Sequence, residues 1–473
     1  MAVDYDLVII GASKVGIYAA QKAALLQARV ALVTQNIDLT LDCKAIGDRL
    51  NEVGHWNYHS LNHPICSVFE GVALPTAQQW ANRLETLSPR KYYLSNLAAL
   101  GVDVIVDRGE FCRSPKLAFQ TAQRQLRAHN FVLTTGANFM TQNQQYDAQN
   151  YLTLDELWQT DLSNLGQDLI VVGGNPAALE LAQTLARFEK RVTLIVQQSR
   201  ILPEEDIEFA LLLQAQLEAE GVEIYTNATI AQIKTIDGKK WLQAGDNALS
   251  ADCIVFAERQ QPNISDLNLA EAGVKRDRRK ILVNSKLQTN NSQIYACGDV
   301  IGGYSLTNIA FYEANVILKN TLLVARYRVN YHTLPWAIFT RPNFARVGLT
   351  LERAKKQCGE NLYVVREYFS DLEGARVAQS TTGMCQLLVR DNNEIIGCSL
   401  IGDRAAELIT AIALMMQQRI KLDSNPMRGL TSLSLPTIHP SLSEIWQRTF
   451  DNFYQQKLQR HPRLQSRLRS WFS

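Results

Sequence analysis

The sequence lacks the features that mark several classes of protein. No apolar run reaches the roughly 18 residues that a membrane-spanning helix needs. Its 48 basic and 46 acidic side chains leave a net charge of +2, which is too little to indicate a nucleic-acid-binding surface. The acidic N-terminal segment leads directly into a strand-like run, unlike a signal peptide. We therefore expect a soluble protein with no nucleic-acid partner.

Cysteine is also scarce. The eight cysteines include no Cys-x-x-Cys pair, which is typical of buried thiols in a reducing compartment, so we expect a cytoplasmic protein. Hydrophobic residues make up 46% and charged residues 20% of the chain, as in ordinary globular proteins. A length of 473 residues indicates several domains rather than one hydrophobic core.

Two βαβ patterns predict two dinucleotide-binding domains. Each pattern has a short apolar strand, a glycine-containing turn, a helix and a second strand, in the order of a mononucleotide-binding unit. The predicted elements are a strand over 5–10, a helix to residue 27 and a strand over 29–33 in the first unit, and a strand over 168–172, a helix over 179–189 and a strand over 192–196 in the second. Two such patterns are a much stronger signal than one.

The two turns are candidate phosphate-binding sites, because such a turn aims backbone N–H groups and a helix N-terminus at a pyrophosphate. Ser13 and Asn175 stand at the central glycine position, where serine is small and asparagine tolerates left-handed backbone angles. Pro176 suits the first turn of a helix but removes one N–H. The residues predicted to bind the phosphates are Gly11, Ser13, Lys14 and Gly16 in the first turn, and Gly173 and Asn175 in the second.

The acidic residue that usually binds the ribose hydroxyls is absent from both units. Thr34 stands at its position in the first unit and Val196 in the second. Gln197 and Arg200 follow in the second unit, and an arginine near a missing carboxylate favours the 2′-phosphate of NADP over NAD. The alternative is that the nicotinamide site is merely weakened, and the sequence leaves both interpretations open.

Further segments carry a resemblance to a known family. They are Thr134-Thr135-Gly136, residues 257–263 ending in Gln-Pro-Asn, residues 294–299 ending in Cys-Gly-Asp, residues 340–342 and 347–350, and residues 438–444 with the sequence Ile-His-Pro-Ser-Leu-Ser-Glu. Over nearly its whole length the chain resembles the pyridine nucleotide–disulfide oxidoreductases, the family of dihydrolipoamide dehydrogenase, glutathione reductase and mercuric reductase.

The resemblance implies an α/β fold with two Rossmann-like dinucleotide-binding domains, for FAD and NAD(P), and a C-terminal α+β dimerisation domain. It implies FAD and a nicotinamide as cofactors and a homodimer as the assembly. The implied domains are 1–148 (FAD-binding, first segment), 149–278 (NAD(P)-binding), 279–330 (FAD-binding, second segment), 331–450 (dimerisation) and 451–473 (a basic amphipathic tail).

The resemblance also implies roles for individual residues. The implied cofactor contacts are Thr135 and Gly136 at the end of the first FAD segment, Asp299 at the flavin ribityl chain and Glu180 near the nicotinamide. His439 and Glu444 match an acid–base pair that reaches across the family dimer, in which the carboxylate fixes the histidine tautomer. The alternative is that this pair now serves only to hold the dimer together.

The sequence departs from the family at its redox disulfide. The family carries Cys-x4-Cys after the first βαβ unit, and counting along the chain places Cys43 at the first cysteine and Asp48 at the second. A dithiol–disulfide relay needs two sulfurs, because a thiolate must attack a disulfide sulfur and be released again. Cys43 and Asp48 are therefore catalytic candidates for a reaction other than ordinary disulfide reduction.

Three functions remain open. The first is an FAD-dependent NAD(P)H oxidoreductase that passes electrons to a quinone, oxygen, a metal ion or a protein. The second is a degenerate family member that binds a partner, with weakened or absent nicotinamide binding. The third is a disulfide or metal-ion reductase that uses Cys43 with a distant thiol. The motifs around Asp299 and His439 favour the first function, whereas the altered glycine turns favour the second.

A group of histidines adds a candidate metal site. The residues that recur at helical spacing are Glu52, His55, His59 and His63, preceded one turn earlier by Asp48. Histidines four apart on a helix can share a metal ion with a carboxylate. Helical histidines are more often structural, and Gly54 and Pro64 weaken the helix, so these residues are candidates and no metal is predicted.

The C-terminal tail is basic and amphipathic. Residues 457–469 carry five lysines and arginines without an acid, and Pro462 can open a short helix. Such a helix would place apolar residues, including Trp471 and Phe472, on one side. Such a segment can contact an anionic membrane surface or a protein partner, but the sequence slightly favours the alternative that Trp471 and Phe472 pack on the protein's own dimer.

Overall fold

The computed structural model describes residues 3–35, 43–62, 71–87, 90–113, 116–140, 146–303, 305–422 and 437–460. The chain forms two compact units, Met1–Gln197 with Glu223–Val329, and Gln198–Val222 with Asn330–Ser473. The first unit contains both predicted βαβ patterns. The second contains the predicted dimerisation domain together with residues 198–222, which the sequence places in the NAD(P)-binding domain.

The first unit is a mixed α/β structure. Its strands and helices are β1 (Tyr5–Ile10), α1 (Lys14–Leu25), β2 (Val30–Thr34), α2 (Cys43–Asn62), α3 (Leu74–Leu87), α4 (Arg90–Ala99), β3 (Asp103–Val106), β4 (Gly109–Arg113), β5 (Leu117–Thr121), β6 (Gln125–Leu126), β7 (Ala128–Leu133), β8 (Ala137–Met140), β9 (Leu152–Thr153), α5 (Leu154–Gln159), β10 (Asp168–Val172), α6 (Pro176–Arg187), β11 (Arg191–Ile195), β12 (Glu223–Tyr225), β13 (Ile230–Ile236), β14 (Lys239–Ala244), β15 (Asn247–Ala251), β16 (Cys253–Phe256), β17 (Arg259–Pro262), β18 (Ile294–Ala296) and α8 (Thr307–Leu318).

Two parallel five-stranded sheets form the frame of this unit. Their strand orders are β18-β7-β1-β2-β3 and β12-β11-β10-β16-β9. The strands are apolar on both sides because both sheet faces are covered, so that Val8 and Leu7 belong to different cores on opposite faces of the first sheet. Each glycine-containing turn follows the central strand, at the carboxyl edge where open α/β sheets bind ligands.

The strand registers of the two sheets correspond residue by residue. The corresponding positions, first sheet before second, are Ile10 and Val172 on the central strands, Val33 and Ile195 on one neighbour, and Leu133 and Phe256 on the other. The residues that follow these strands therefore also correspond, namely Gly11 with Gly173, Thr34 with Val196, and Thr135 with Glu258. The predicted duplication of the dinucleotide-binding unit is confirmed.

Most of the predicted element bounds hold. The strands over 5–10 and 168–172 are confirmed. The helix predicted over 179–189 begins three residues earlier in the structure, at Pro176, and ends at Arg187. Its earlier start has a local cause, because Asn175 caps the helix and proline is favoured at the first helical position. The long helix α2 continues through Gly54 without a break.

The second unit has the predicted α+β character. Its elements are α7 (Ile207–Ala219), β19 (Trp336–Ile338), β20 (Asn343–Gly348), α9 (Leu351–Cys358), β21 (Leu362–Tyr368), α10 (Glu373–Val377), β22 (Met384–Arg390), β23 (Ile395–Gly402), α11 (Ala405–Gln417) and α12 (Glu444–Arg460). The five strands form one antiparallel sheet in the order β19-β20-β23-β22-β21. Apolar residues of α11 and α12, such as Ile412 and Phe450, pack on this sheet and complete its core.

Of the two expectations about membranes, the structure addresses the one about a membrane-spanning helix and does not describe the C-terminal segment. Within the described parts of the chain, no helix is both long enough and apolar enough to cross a bilayer. The predicted amphipathic segment after Arg460 lies outside the described residues, so its contact with a membrane or partner stays a prediction.

Candidate functional site

A cavity of about 480 Å³ lies in the first unit, at the carboxyl edge of its first sheet. This volume is in the range of cofactor and small-ligand sites. The predicted site residues that line it are Ser13, Lys14, Asp48, Thr135, Gly136, Glu180 and Asp299. The structure thus brings together side chains from α1, α2, α6 and the segments after β7 and β18, which are far apart in the sequence.

The first turn is tight, and its two glycines have no room for a side chain. Gly11 has a φ of +108°, and a Cβ on Gly16 would lie 2.6 Å from the Thr134 hydroxyl and closer still to the Gly11 carbonyl oxygen. Ser13 is accommodated at the central position because its Oγ accepts the Gly16 N–H at 3.2 Å and caps α1. The turn keeps the geometry of a phosphate-binding loop with two glycines instead of three.

Thr135 provides direct evidence that a polar ligand belongs in the cavity. Its Oγ1 is buried and has no hydrogen-bond partner in the described protein. The neighbouring Thr134 differs, because its hydroxyl donates to the carbonyl oxygens of Gly11 at 2.8 Å and Ile10 at 3.1 Å. A buried hydroxyl without a partner is costly, so a bound molecule with polar atoms is the natural partner for Thr135.

Asp299 lines the cavity between α8 and the first turn. Burial raises the pKa of its carboxyl, and a hydrogen bond from Ser305 and the positive charge of Lys44 partly offset that rise. Lys44 also donates to the Ser305 carbonyl oxygen at 3.0 Å. Sequence reasoning missed Lys44 and Ser305, because only the folding of α2 against residues 298–307 brings them to Asp299.

The first turns of α2 form one wall of the cavity. The α2 residues that line it are Lys44, Gly47, Asp48 and Asn51, which recur at helical spacing. Cys43 is the first residue of the helix, and its side chain lies outside the described part. Trp158 of α5 was also missed by the sequence; its indole nitrogen would lie 3.3 Å from a Cβ on Gly47, so a side chain there would make a tight contact where the two helices meet.

A second thiol borders the same cavity. Cys297, at the end of β18, is buried to 1% exposure, and burial raises the pKa of its thiol well above the ordinary value. The thiolate is the reactive form of cysteine, so a thiol held in its neutral form is a poor nucleophile. Cys297 is therefore suited to packing and not to disulfide exchange.

Helix α6 of the second sheet carries Glu180 to the cavity. Its neighbour Thr184 has a hydroxyl 2.7 Å from the Glu180 carbonyl oxygen and 3.2 Å from the Asn51 Oδ1 of α2. Asp155 lies close by, where its carboxylate accepts the Phe139 N–H at 2.8 Å. Burial raises the pKa of the Asp155 carboxyl, as it does for Asp299. The cavity is thus bordered by several acidic groups as well as by Lys14 and Lys44.

The second turn is organised differently from the first. Gly173 keeps a φ of +144°, but Ala178 stands where the first turn has its last glycine. The Asn175 side chain accepts the Ala178 N–H at 3.0 Å and donates to the carbonyl oxygens of Ala257 and Glu258, each at 2.9 Å. Asn175 therefore ties the turn to the end of β16, a role that the sequence pattern did not reveal.

The residues predicted to contact the ribose also have protein partners. Gln197 donates to a Glu258 carboxylate oxygen at 3.3 Å. In the second unit, the Arg200 guanidinium donates to the backbone carbonyl oxygens of Pro203 at 2.7 Å and Glu205 at 2.8 Å. Thr34 is buried at the end of β2. The two acceptors of Arg200 weaken the case for this residue as a 2′-phosphate ligand.

The two residues of the predicted acid–base pair lie in the second unit and contact each other. His439 Nδ1 lies 3.1 Å from Glu444 Oε1, and its Nε2 lies 3.3 Å from Glu373 Oε2. The Glu444 carboxylate also accepts the Ser441 N–H at 2.8 Å. A Cβ on Gly374 would lie 2.5 Å from the backbone of Ser441, so this glycine permits the histidine segment to approach α10. The predicted pair is in contact, and Glu373 is a second carboxylate that the sequence did not suggest.

The candidate metal residues are only partly described. Glu52 is exposed and His55 is half-buried on α2, but the His59 side chain and His63 lie outside the described residues. Among the side chains that the structure does describe, no three histidines, cysteines or carboxylates are close enough to hold a metal ion. The histidine group therefore stays a candidate that this geometry does not test.

Family models match both units of the chain. The model described as pyridine nucleotide-disulphide oxidoreductase matches residues 5–314, and the dimerisation-domain model of the same family matches residues 334–449. The chain belongs to this family. Its members are FAD-dependent NAD(P)H oxidoreductases, and the dimerisation domain supports a homodimer.

Several members of this family are similar to the chain in sequence or in structure. Mercuric reductase of Staphylococcus aureus is 28% identical over 432 residues, which cover 88% of this chain and 77% of that protein. Dihydrolipoyl dehydrogenase of Bacillus subtilis is 31% identical over 294 residues, or 62% of each chain. Among solved structures, the Cu(II) complex of the flavoprotein disulfide reductase RclA from Escherichia coli has a TM-score of 0.81 at 24% identity and covers 95% of this chain and 99% of that one.

The cavity residues fit the family's flavin. The turn without Cβ atoms at Gly11 and Gly16 leaves space for a phosphate, and Lys14 lines the cavity beside it. The partnerless Thr135 hydroxyl offers a hydrogen bond to a polar ligand atom, and Asp299 offers a carboxylate to ligand hydroxyls. These four features are what an FAD molecule requires from its protein.

Proposed function

We propose that this protein is an FAD-dependent NAD(P)H oxidoreductase that passes electrons to an acceptor other than a disulfide. One observation carries the proposal: the wall of α2 that faces the cavity presents Asp48 and Asn51, and no cysteine follows Cys43 within that helix. Cys297 is the one thiol among the described side chains that line the cavity, and its burial disfavours the thiolate. Among the side chains that the structure describes, Cys43 therefore has no suitable second sulfur for a two-sulfur relay.

The flavin, when bound, supplies the chemistry that accepts a hydride equivalent and releases electrons. The chain's own residues bind and orient it. The N–H groups of the first turn and Lys14 would hold its phosphates, and Thr135 and Asp299 would hydrogen-bond to its polar groups. Asp48 faces the cavity from α2, and counting along the sequence assigns it to the position of the family's second cysteine.

His439 would move protons in this scheme. Its two ring nitrogens lie within 3.1 Å and 3.3 Å of the Glu444 and Glu373 carboxylates, so the ring has an acceptor for a proton on either side. These two carboxylates hold the ring in a fixed orientation, as an acid–base catalyst requires.

The proposal is tested by spectra and by electron acceptors. The purified full chain should show flavin absorption bands that bleach anaerobically on addition of NADH or NADPH, and a soluble quinone or oxygen should restore them. A small-molecule disulfide should restore them at least about a hundredfold more slowly, because the second sulfur is missing. A colourless sample, or bands that do not bleach, would instead support a partner-binding protein.

A metal-ion reductase that uses Cys43 is the second candidate. It is favoured by the similarity to mercuric reductases and by the Cu(II) complex recorded for RclA. The variant Cys43→Ser separates the two candidates. Reoxidation by quinone should be unchanged in this variant under the first proposal. Loss of reoxidation by Hg²⁺ or Cu²⁺, with quinone turnover retained, would establish the second. The variant Cys112→Ser, far from the α2 wall in β4, is the matched control.

A further inference from the structure

Three side chains connect the strands around the second nucleotide crevice. Gln197 follows β11 and Glu258 follows β16, and these two strands lie on opposite sides of the central strand β10. The hydrogen bond between the Gln197 amide and the Glu258 carboxylate, at 3.3 Å, therefore passes across the carboxyl end of β10. In open α/β sheets this is the crevice where the dinucleotide binds.

The backbone of Glu258 is held firmly in this position. The Asn175 amide donates to the carbonyl oxygens of both Ala257 and Glu258 at 2.9 Å, while its own carbonyl caps Ala178 at 3.0 Å. These bonds fix the end of β16 to the phosphate-binding turn. The carboxylate of Glu258 is thus placed by the fold, through its main chain and through Gln197.

The correspondence between the two sheets shows what this position faces. Glu258 occupies the place that Thr135 occupies after β7, and Thr135 lines the flavin cavity of the first sheet. Its partner Gln197 directly follows Val196, which stands where a carboxylate usually binds the ribose hydroxyls. Glu258 therefore brings a carboxylate from the other side of β10 to Gln197, the residue next to that position.

We propose that Glu258 replaces the missing ribose carboxylate and makes the site prefer NADH over NADPH. This inference rests on the nicotinamide site of the proposed function. A carboxylate accepts hydrogen bonds from the ribose hydroxyls of NADH, but it repels the extra 2′-phosphate of NADPH. The preference is the reverse of the one that Arg200 suggested from the sequence, and that guanidinium already donates to two carbonyl oxygens of its own loop.

Binding of ligands that cannot transfer a hydride tests the inference directly. We would titrate the full-length, flavin-loaded protein with ADP-ribose and with 2′-phospho-ADP-ribose by calorimetry. The wild type should bind ADP-ribose at least about tenfold more tightly than 2′-phospho-ADP-ribose. The Glu258 carboxylate would accept hydrogen bonds from the ribose of the first ligand and repel the 2′-phosphate of the second. The variant Glu258→Gln removes the charge and keeps the size of the side chain, so the ratio of the two affinities should approach one.

The matched control is Glu223→Gln, which removes an exposed carboxylate from the amino end of β12 in the same sheet and should leave the affinity ratio unchanged. Equal binding of both ligands by the wild type, or an unchanged ratio in Glu258→Gln, would overturn the role of Glu258 and leave the oxidoreductase proposal intact. Binding of neither ligand would overturn the nicotinamide site itself, and with it both proposals. Flavin absorbance measured on each variant confirms that the first unit is folded.

Discussion

The two nucleotide turns share one framework but differ in space and charge. Both follow a central parallel strand, and in both a side chain at the middle position caps the next helix, Ser13 in one and Asn175 in the other. The first turn keeps Gly16 and carries Lys14 beside the cavity. The second has an alanine at the corresponding place, a proline that removes an N–H, and the carboxylate of Glu258 across the crevice.

This difference shows that the number of glycines in a turn does not indicate how much space the turn leaves for a nucleotide. Ser13 costs the first turn little, because its hydroxyl bonds within the turn and leaves the cavity side open. Asn175 occupies the same position, yet its longer side chain reaches the end of β16 and joins the turn to it by two hydrogen bonds. The first turn thus keeps its cavity side open, whereas the second is tied to the end of β16.

The largest expected effect comes from the glycine that distinguishes the first turn. Gly16→Ala would place a Cβ 2.6 Å from the Thr134 hydroxyl and against the Gly11 carbonyl, so the turn must open. We expect loss of bound flavin and about 3 kcal/mol or more of lost stability in urea unfolding. The reciprocal Ala178→Gly in α6 should cost only about 1 kcal/mol and retain the flavin. Retention of flavin by Gly16→Ala would show that the two turns are equivalent after all.

The two adjacent threonines after β7 provide a sharper test of the flavin cavity. Thr135→Val removes a hydroxyl that has no partner in the protein, so flavin affinity should fall about tenfold while the flavin-free protein is at least as stable. Thr134→Val removes a hydroxyl that donates to the Gly11 and Ile10 carbonyl oxygens, and it should lower stability by about 1 kcal/mol. Fluorescence titration with FAD and thermal unfolding measure the two effects. Unchanged FAD affinity in Thr135→Val would contradict the assignment of the cavity.

Asp299 gives the first site a pH dependence. Because burial raises the pKa of its carboxyl, the contribution of Asp299 to folding is fully present below the ordinary value of 3.8 and is lost as the pH rises through the raised value. Asp299→Asn should therefore raise the melting temperature of the flavin-free protein at pH 7, and this gain should vanish toward acid pH. Its FAD affinity should fall about tenfold, since the carboxylate is a strong acceptor.

The exposed Asp266 serves as the control for this experiment, and Asp266→Asn should change neither the melting temperature nor the flavin affinity appreciably. If Asp299→Asn destabilises the flavin-free protein at pH 7, then the Asp299 carboxylate is better solvated or paired than the structure indicates.

The smallest expected effect comes from making the second turn resemble the first. Asn175→Ser keeps a helix-capping oxygen but loses both hydrogen bonds to the end of β16, which should cost about 1 to 2 kcal/mol in urea unfolding. The reciprocal Ser13→Asn keeps a cap and adds a longer side chain at the flavin cavity, so FAD affinity should fall severalfold with little change in stability. Similar responses to both exchanges would mean that the middle position has the same role in the two turns.

Local patterns were sufficient for much of the fold. The alternation of short apolar strands, turns and helices predicted β1 and β10 at their observed bounds, because fully buried parallel strands are recognisable as continuous apolar runs. The pairing of His439 with Glu444 was implied by the family resemblance of the one short segment that contains both residues. Their placement follows from neighbours in the chain.

The site residues that the sequence did not reveal are those that contact residues far away in the chain. Lys44 and Ser305 meet at Asp299 only because α2 and the segment after β18 converge on one edge of the sheet. Glu373 reaches the ring of His439 from α10, which is distant in the sequence. No local pattern marks such residues, because a single exposed lysine, serine or glutamate is common on any surface.

The sequence by itself implied the family through the resemblance of its motifs and predicted the duplicated nucleotide-binding framework through its local periodicity, because both are properties of residue order. The tertiary structure alone decided which groups line the cavity of the first sheet and which lie at the crevice of the second. It left the Thr135 hydroxyl without a partner in one cavity and placed Glu258 across the crevice of the other. The physical reason is that strand pairing sets the positions of these side chains, and pairing joins residues that the linear sequence keeps far apart.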